Sequence, residues 1–260
     1  MTSPTVPERL VIEPPVTPDA PPTRILQHPV PDATGRYMWV YLWQAPLRAM
    51  HWIAAIAILA LIVSGFWIGR PFFLPNAQTT GSYATQWARL LHFAAAYLLA
   101  ATAIVRVYWL IAGNRFERLP ALFPLRSRDW RNMIKQILYY SFIRREEDTP
   151  KYVGHNPFQQ LFYTSLYAAA LVMVVTGFAL YGLATPDGLI FGMFNWVNEL
   201  LGMQMVRFIH HVTTWYFVIF PITHVYFAMR SDVTEHGGGI SSIISGGKFV
   251  EASHRYEDNP

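Results

Sequence analysis

Four stretches without a charged side chain, residues 49–69, 90–105, 152–186 and 208–229, leave this chain few folds to choose from. Each holds a helix of about 20 residues, the second by running past Arg106 to residue 114, and that is the length that spans the hydrocarbon core of a bilayer. No water reaches that core to satisfy backbone amides, so a chain with such runs crosses it as helices. Composition agrees, with 53% of the residues hydrophobic and 14% charged, against about a quarter charged in soluble domains. The expected fold is an all-α membrane protein, a four-helix transmembrane bundle over residues 37–232 with helices near 46–69, 87–112, 157–182 and 206–230.

Charge gives the expected orientation. Residues 113–155 carry nine Lys or Arg, and residues 182–205 carry none. The positive-inside rule places the basic connection in the cytoplasm, and both termini with it. The net charge of +4 therefore speaks for topology and anionic lipid, and no nucleic-acid partner is expected. Residues 1–36, which include PPVTPDAPPT, read as a disordered or extended cytoplasmic leader, and residues 233–260 as a cytoplasmic tail. Within the basic connection, Trp130, Met133, Ile134, Ile137 and Leu138 recur at helical spacing opposite Arg128, Arg131 and Lys135. An amphipathic helix over residues 127–143 is expected to lie on the inner leaflet or under a partner subunit.

The histidines carry the chemistry. Arg-x-x-His opens three of the runs: Arg48 with His51, Arg89 with His92, and Arg207 with His210. The fourth run adds His224, fourteen residues after His210. At 100° per residue the two share a face about 21 Å apart along the axis, with a kink expected at Pro221 between them. The second and fourth helices run in the same direction, so His92 and His210 fall at equal depth near the outer face. The first helix runs the other way, which puts His51 near the inner face at the depth of His224. An outer pair and an inner pair are what two stacked b haems need, each iron taking one imidazole from each of two helices.

Arg89 and Arg207 lie on the outer side, against the usual charge bias, where haem propionates would favour them; Arg48 and Arg106 are candidates for the inner haem. His211, 100° away from His210, reads as a hydrogen-bonding neighbour, and His28, His155, His236 and His254 read as solvated. The absence of cysteine excludes covalent c-type haem, thiolate iron–sulfur clusters and disulfides. Residues 89–109 align with 207–227, matching Arg89 to Arg207 and His92 to His210 and placing Arg106 where His224 stands. Ser64-Gly65-Phe66 and Thr176-Gly177-Phe178 echo each other, as small residues that allow close helix contact, so two related hairpins are expected.

With RAMHW, RLLHF and RFIHH…PITHVYF in view, residues 37–232 resemble the b-type cytochrome subunit of membrane-bound nickel–iron hydrogenases. That group is similar to the formate dehydrogenase gamma subunit and bacterial cytochrome b561 proteins. The resemblance implies two b haems, His92 with His210 outside and His51 with His224 inside. It also implies a bacterial cytoplasmic membrane location and a periplasmic hydrogenase dimer anchored through its iron–sulfur small subunit. Electrons would pass to a membrane quinone as substrate. Two other readings stay open: a cytochrome b subunit of a formate dehydrogenase, a thiosulfate reductase or a free-standing b561-type oxidase, and a non-redox, histidine-lined metal transporter.

Overall fold

The computed structural model describes residues 30–31, 35–70, 83–124, 126–143, 145, 149–235 and 237–258. The expected leader lies outside the described residues except for 30, 31, 35 and 36, as do residues 71–82 of the first connection. Four helices are long and apolar enough to cross a membrane: α1 (Ala45–Gly69), α2 (Tyr83–Ala112), α5 (Pro157–Gly182) and α7 (Met203–Glu235). Local chemistry starts them. Pro46 sits in the first turn of α1, where its missing amide proton has no partner to lose. Asn156 caps α5, with Oδ1 accepting from the Gln159 amide at 2.9 Å while Gln159 Oε1 accepts from the Asn156 amide at 3.0 Å. Pro221 lies inside α7 without ending it.

The helices pack as two hairpins, α1 on α2 and α5 on α7, joined where α1 touches α7. Their outward faces carry Ile56, Leu59, Ile104, Leu171 and Ile222, all exposed on the protein and suited to lipid. At the end where α1 finishes and α2 begins, the short apolar helix α6 (Leu189–Leu201) closes the second hairpin, with Val197 packed against Ala179 and Val206.

The opposite end, where the first and last described residues lie, holds structure that an all-α reading lacks. Strand β2 (Tyr37–Tyr41) pairs antiparallel with β1 (Val30–Pro31) on one side and β3 (Gly247–Glu251) on the other, Trp39 facing Phe249. Val40, Leu42, Trp43, Phe116, Val153 and Val250 form a small core beneath the bundle. The short helix α8 (Gly239–Ser245) leads into Gly246, whose carbonyl accepts from the Leu42 and Trp43 amides, both at 2.8 Å. Gly246 has φ +95, and a side chain there would strike the Tyr41 ring, so only glycine fits.

The loop after α2 is fixed by Glu117. This fully buried carboxylate accepts from the Gln44 amide at 2.6 Å, the Trp109 indole at 2.8 Å and the Asn114 amide at 3.2 Å. After α3 (Leu119–Leu122), α4 (Ser127–Tyr140) turns its polar side inward. Asn132 Nδ2 donates to Tyr152 OH and Gln136 Nε2 to the Pro150 carbonyl, each at 2.8 Å. Trp130, Ile134 and Ile137 are left exposed, the arrangement a leaflet-bound helix needs. The chain's last described residue, Asp258, accepts from the amides of Val153 at 2.7 Å and Gly154 at 2.6 Å, tying the tail to the start of α5.

Candidate functional site

At the α6 end, α2 and α7 present His92 and His210 one turn after Arg89 and Arg207. His92 Nδ1 lies 3.0 Å from Ser64 Oγ of α1, and His210 Nδ1 lies 2.9 Å from Thr176 Oγ1 of α5. Each hydroxyl already donates to a carbonyl of its own helix, Ser64 to Ala60 and Thr176 to Val172, both at 2.6 Å. With its single proton committed, a hydroxyl can only accept from the imidazole. The network therefore assigns the proton of both rings to Nδ1 and leaves the Nε2 lone pair free for a metal.

The next residue in each hairpin makes room. A Cβ on Gly65 would sit 3.2 Å from His92 Cε1, and one on Gly177 would sit 3.2 Å from His210 Cε1. Such a contact is tighter than ordinary packing, so a side chain at either position would press on the ring. The two S/T-G-F motifs thus do more than allow close helix contact: each one orients and houses an imidazole.

At the termini end, His51 of α1 and His224 of α7 have ring centroids 6.3 Å apart at an interplanar angle of 52°. Two rings bound about 2 Å from one shared metal, with about 1 Å from each nitrogen to its centroid, stand at a similar separation. His224 stacks on Phe220 at 5.8 Å, and its Nδ1 makes a long 3.5 Å contact with Tyr163 OH. His51 Nδ1 is sealed from solvent without a hydrogen-bond partner.

The arginines divide by end. Arg89 and Arg207 are exposed beside the His92 and His210 end. Arg48 donates through one guanidinium nitrogen to the Ile244 carbonyl, while its Nε is sealed and unpartnered. Arg106 is buried, donating from Nε to Tyr167 OH and from its terminal nitrogen to the Glu117 carbonyl, both at 3.1 Å. Its fork is thus already held by α5 and the loop.

His211 donates from Nδ1 to the Arg207 carbonyl at 2.7 Å, in keeping with a neighbour's role. His254 pairs with Glu251 at 3.0 Å, and His28 and His236 lie outside the described residues. His155 corrects the expectation of a solvated ring. It stacks on Trp43 at 4.8 Å and meets the edge of Tyr163 at 4.9 Å, with Nδ1 sealed and unpartnered. Burial pushes its pKa down to about 3, helped by the positive charge of Arg106 and Lys248 and by His224. Trp43 comes from a distant part of the sequence and Tyr163 from the second turn of α5, so no single spacing marks the ring.

The donor set fits a haem better than a free ion. Among the described residues no three His, Asp or Glu converge on one point. A protein-bound transition-metal ion takes about four donors, whereas a haem needs only axial imidazoles because its macrocycle supplies the rest.

Comparison with known proteins agrees. Residues 42–246 match the family described as prokaryotic cytochrome b561. The chain is 39% identical over 218 residues to a probable Ni/Fe-hydrogenase B-type cytochrome subunit of Azotobacter vinelandii, an alignment covering 82% of this chain and 89% of that one. A protein of the same description from Cupriavidus necator is 35% identical over 79% of this chain and 85% of its own length. The probable Ni/Fe-hydrogenase 1 B-type cytochrome subunit of Escherichia coli K12 is 30% identical over 79% of this chain and 89% of its own.

Proposed function

The chain belongs to the prokaryotic cytochrome b561 family, and from that premise we propose that it is the dihaem b-type cytochrome subunit of a nickel–iron hydrogenase in a bacterial cytoplasmic membrane. The observation that carries the reading is the sorting of four imidazoles into two pairs at opposite ends of one bundle. His92 and His210 hold the outer haem, and His51 and His224 the inner one. Haem b, when bound, supplies one-electron iron chemistry.

The chain's own residues define how it is held. Ser64 and Thr176 fix the tautomer and direction of the outer pair. Arg89 and Arg207 face water beside it, placed to meet propionates, with Arg48 in the same role at the inner end, where Arg106 instead ties α2 to α5 and the loop. The basic connection and the termini sheet face the cytoplasm, so the α6 end faces the periplasm and receives the hydrogenase through its iron–sulfur small subunit. The relatives' description as hydrogenase cytochrome subunits supports that partner. Electrons then cross the bundle from the periplasmic partner to the membrane quinone pool.

The test is a membrane preparation carrying the tagged chain. Purification should bring down a nickel-containing subunit, hydrogen should reduce the b-type absorbance, and added quinone should reverse it. A tagged chain that holds haem but brings down no nickel protein belongs to a different dehydrogenase.

A further inference from the structure

We propose that α4 is a docking surface for anionic phospholipid of the bilayer leaflet at the His51 and His224 end of the bundle, with its apolar face among the acyl chains and Arg131 and Lys135 at the phosphates. The helix is turned inside out relative to one that faces water. Asn132 and Gln136 are buried against the protein with their amides hydrogen-bonded, whereas Trp130, Ile134 and Ile137 are left bare. At 100° per residue those three fall within an arc of about 60°. Beyond the helix the chain adds Phe142 and Ile143, 78% and 74% exposed, so the apolar surface continues past its last turn. A contiguous exposed apolar face of this kind marks a binding surface.

The two ends of the helix decide what covers that face. Just before α4, the Leu122 carbonyl lies 3.0 Å from Thr164 Oγ1 of α5, and Thr164 falls inside the uncharged run 152–186. At the other end Arg230 donates to the Tyr140 carbonyl at 2.6 Å and the Tyr139 carbonyl at 3.0 Å, with its guanidinium 4.1 Å from the centre of the Phe142 ring. Arg230 is the first charge after the run 208–229, so it marks where α7 leaves the hydrocarbon. The Tyr140 ring packs on Phe158 of α5 at 5.3 Å and on Phe227 of α7 at 5.1 Å. Both ends of α4 are therefore held at the bilayer boundary, where lipid rather than a water-borne protein meets its outer face.

Charge gives the kind of lipid. Arg131 and Lys135 stand one turn apart beside the apolar arc, about 100° and 140° from Trp130. Arg128 pairs with Glu257 at 3.0 Å, but among the described residues no carboxylate lies within ion-pair distance of Arg131 or Lys135. Long basic side chains so placed reach the phosphate layer while their stems lie over apolar surface. Each strengthens contact with an anionic surface by about fivefold.

The chain has no cysteine, so a single introduced thiol carries the only probe. The experiment places the full chain, with a bimane fluorophore on Ile134→Cys, in lipid nanodiscs. Both leaflets there carry the same lipid, so the result does not depend on which end of the bundle faces the cytoplasm. Brominated phosphatidylglycerol and brominated phosphatidylcholine should both quench the probe, with a preference for phosphatidylglycerol of about fivefold or more. Arg131→Gln combined with Lys135→Gln should remove that preference and leave haem content unchanged. A probe on Leu59→Cys, on the lipid face of α1, should be quenched equally by both lipids. Quenching at residue 134 by iodide from water and by neither bromolipid overturns the proposal and leaves the face to a protein partner. Equal quenching there by the two bromolipids overturns the anionic site. Ile143→Cys, which leaves the helix itself untouched, gives the same readout where Ile134→Cys does not fold.

Discussion

Replacing Thr176 by valine tests the hydrogen bond that sets the outer imidazole. Valine keeps the branch and nearly the volume of threonine but offers no oxygen. In the native protein Thr176 Oγ1 stands 2.9 Å from His210 Nδ1 and 2.6 Å from the Val172 carbonyl, so it accepts the imidazole proton while donating its own. The valine variant leaves a buried N–H without an acceptor, at a cost of about 1–3 kcal/mol. The ring escapes that cost by moving its proton to Nε2, which removes the lone pair that a metal needs. Either route weakens the site, and loss of such an outer partner lowers metal affinity by about 10–100-fold, or about 1.4–2.8 kcal/mol. The two figures overlap because they describe the same bond. Titrating haem into protein from haem-starved cells measures the affinity, and a redox titration should show a raised midpoint potential because the imidazole donates less charge. Thr176→Ser, which retains the oxygen, should restore both. A valine variant with native affinity and native potential refutes a role for the hydroxyl in holding His210.

Three further outcomes follow from the same geometry. Glycine to alanine within a helix normally stabilises by about 0.5–1 kcal/mol, but Gly177→Ala places Cβ 3.2 Å from His210 Cε1; outer-haem occupancy should fall, as absorbance per protein will show, and unchanged occupancy would mean the ring gives way freely. Glu117→Gln replaces one acceptor oxygen with an amide that faces donors from Gln44, Trp109 and Asn114; a loss of about 2–4 kcal/mol is expected, read as a lower thermal midpoint in detergent, and a native midpoint counts against the clamp. His155 has its folded pKa pushed down to about 3 from 6.5, so the unfolded chain binds the extra proton. Its contribution is complete above pH 6.5 and is lost as pH falls toward 3, by about 1.4 kcal/mol per unit. The native protein should lose thermal stability between pH 6 and pH 4 more steeply than His155→Gln, whereas parallel slopes would mean that the ring protonates freely.

The membrane class and the four long helices were legible because runs of uncharged residues have one physical outcome in a bilayer. Helical periodicity also gave the depth of each histidine, since His210 and His224 lie on one continuous element. Periodicity assigns a face, however, and does not say which side chain waits across from it. The S/T-G-F echo was visible as a repeat, but the hydroxyl-to-imidazole bonds of Ser64 and Thr176 depend on how α1 meets α2 and how α5 meets α7. The termini sheet was hidden for another reason: β2 pairs with β3 about two hundred residues away, and Tyr37–Tyr41 on its own reads equally well as an aromatic interface segment. His155 follows Lys151 and Gly154 in a stretch with the composition of a loop. Trp43, brought in from before α1, stacks on it, and Tyr163, eight residues further on in α5, meets its edge.

Haem per polypeptide in the purified complex decides between paired sites and any arrangement in which one histidine pair is only structural. Two bis-imidazole sites require two haems b in the native protein, falling to one in His210→Ala and to one in His51→Ala, with different halves of the redox titration lost in each. A native protein that holds one haem, and keeps it in either variant, contradicts the assignment of the four histidines to two irons.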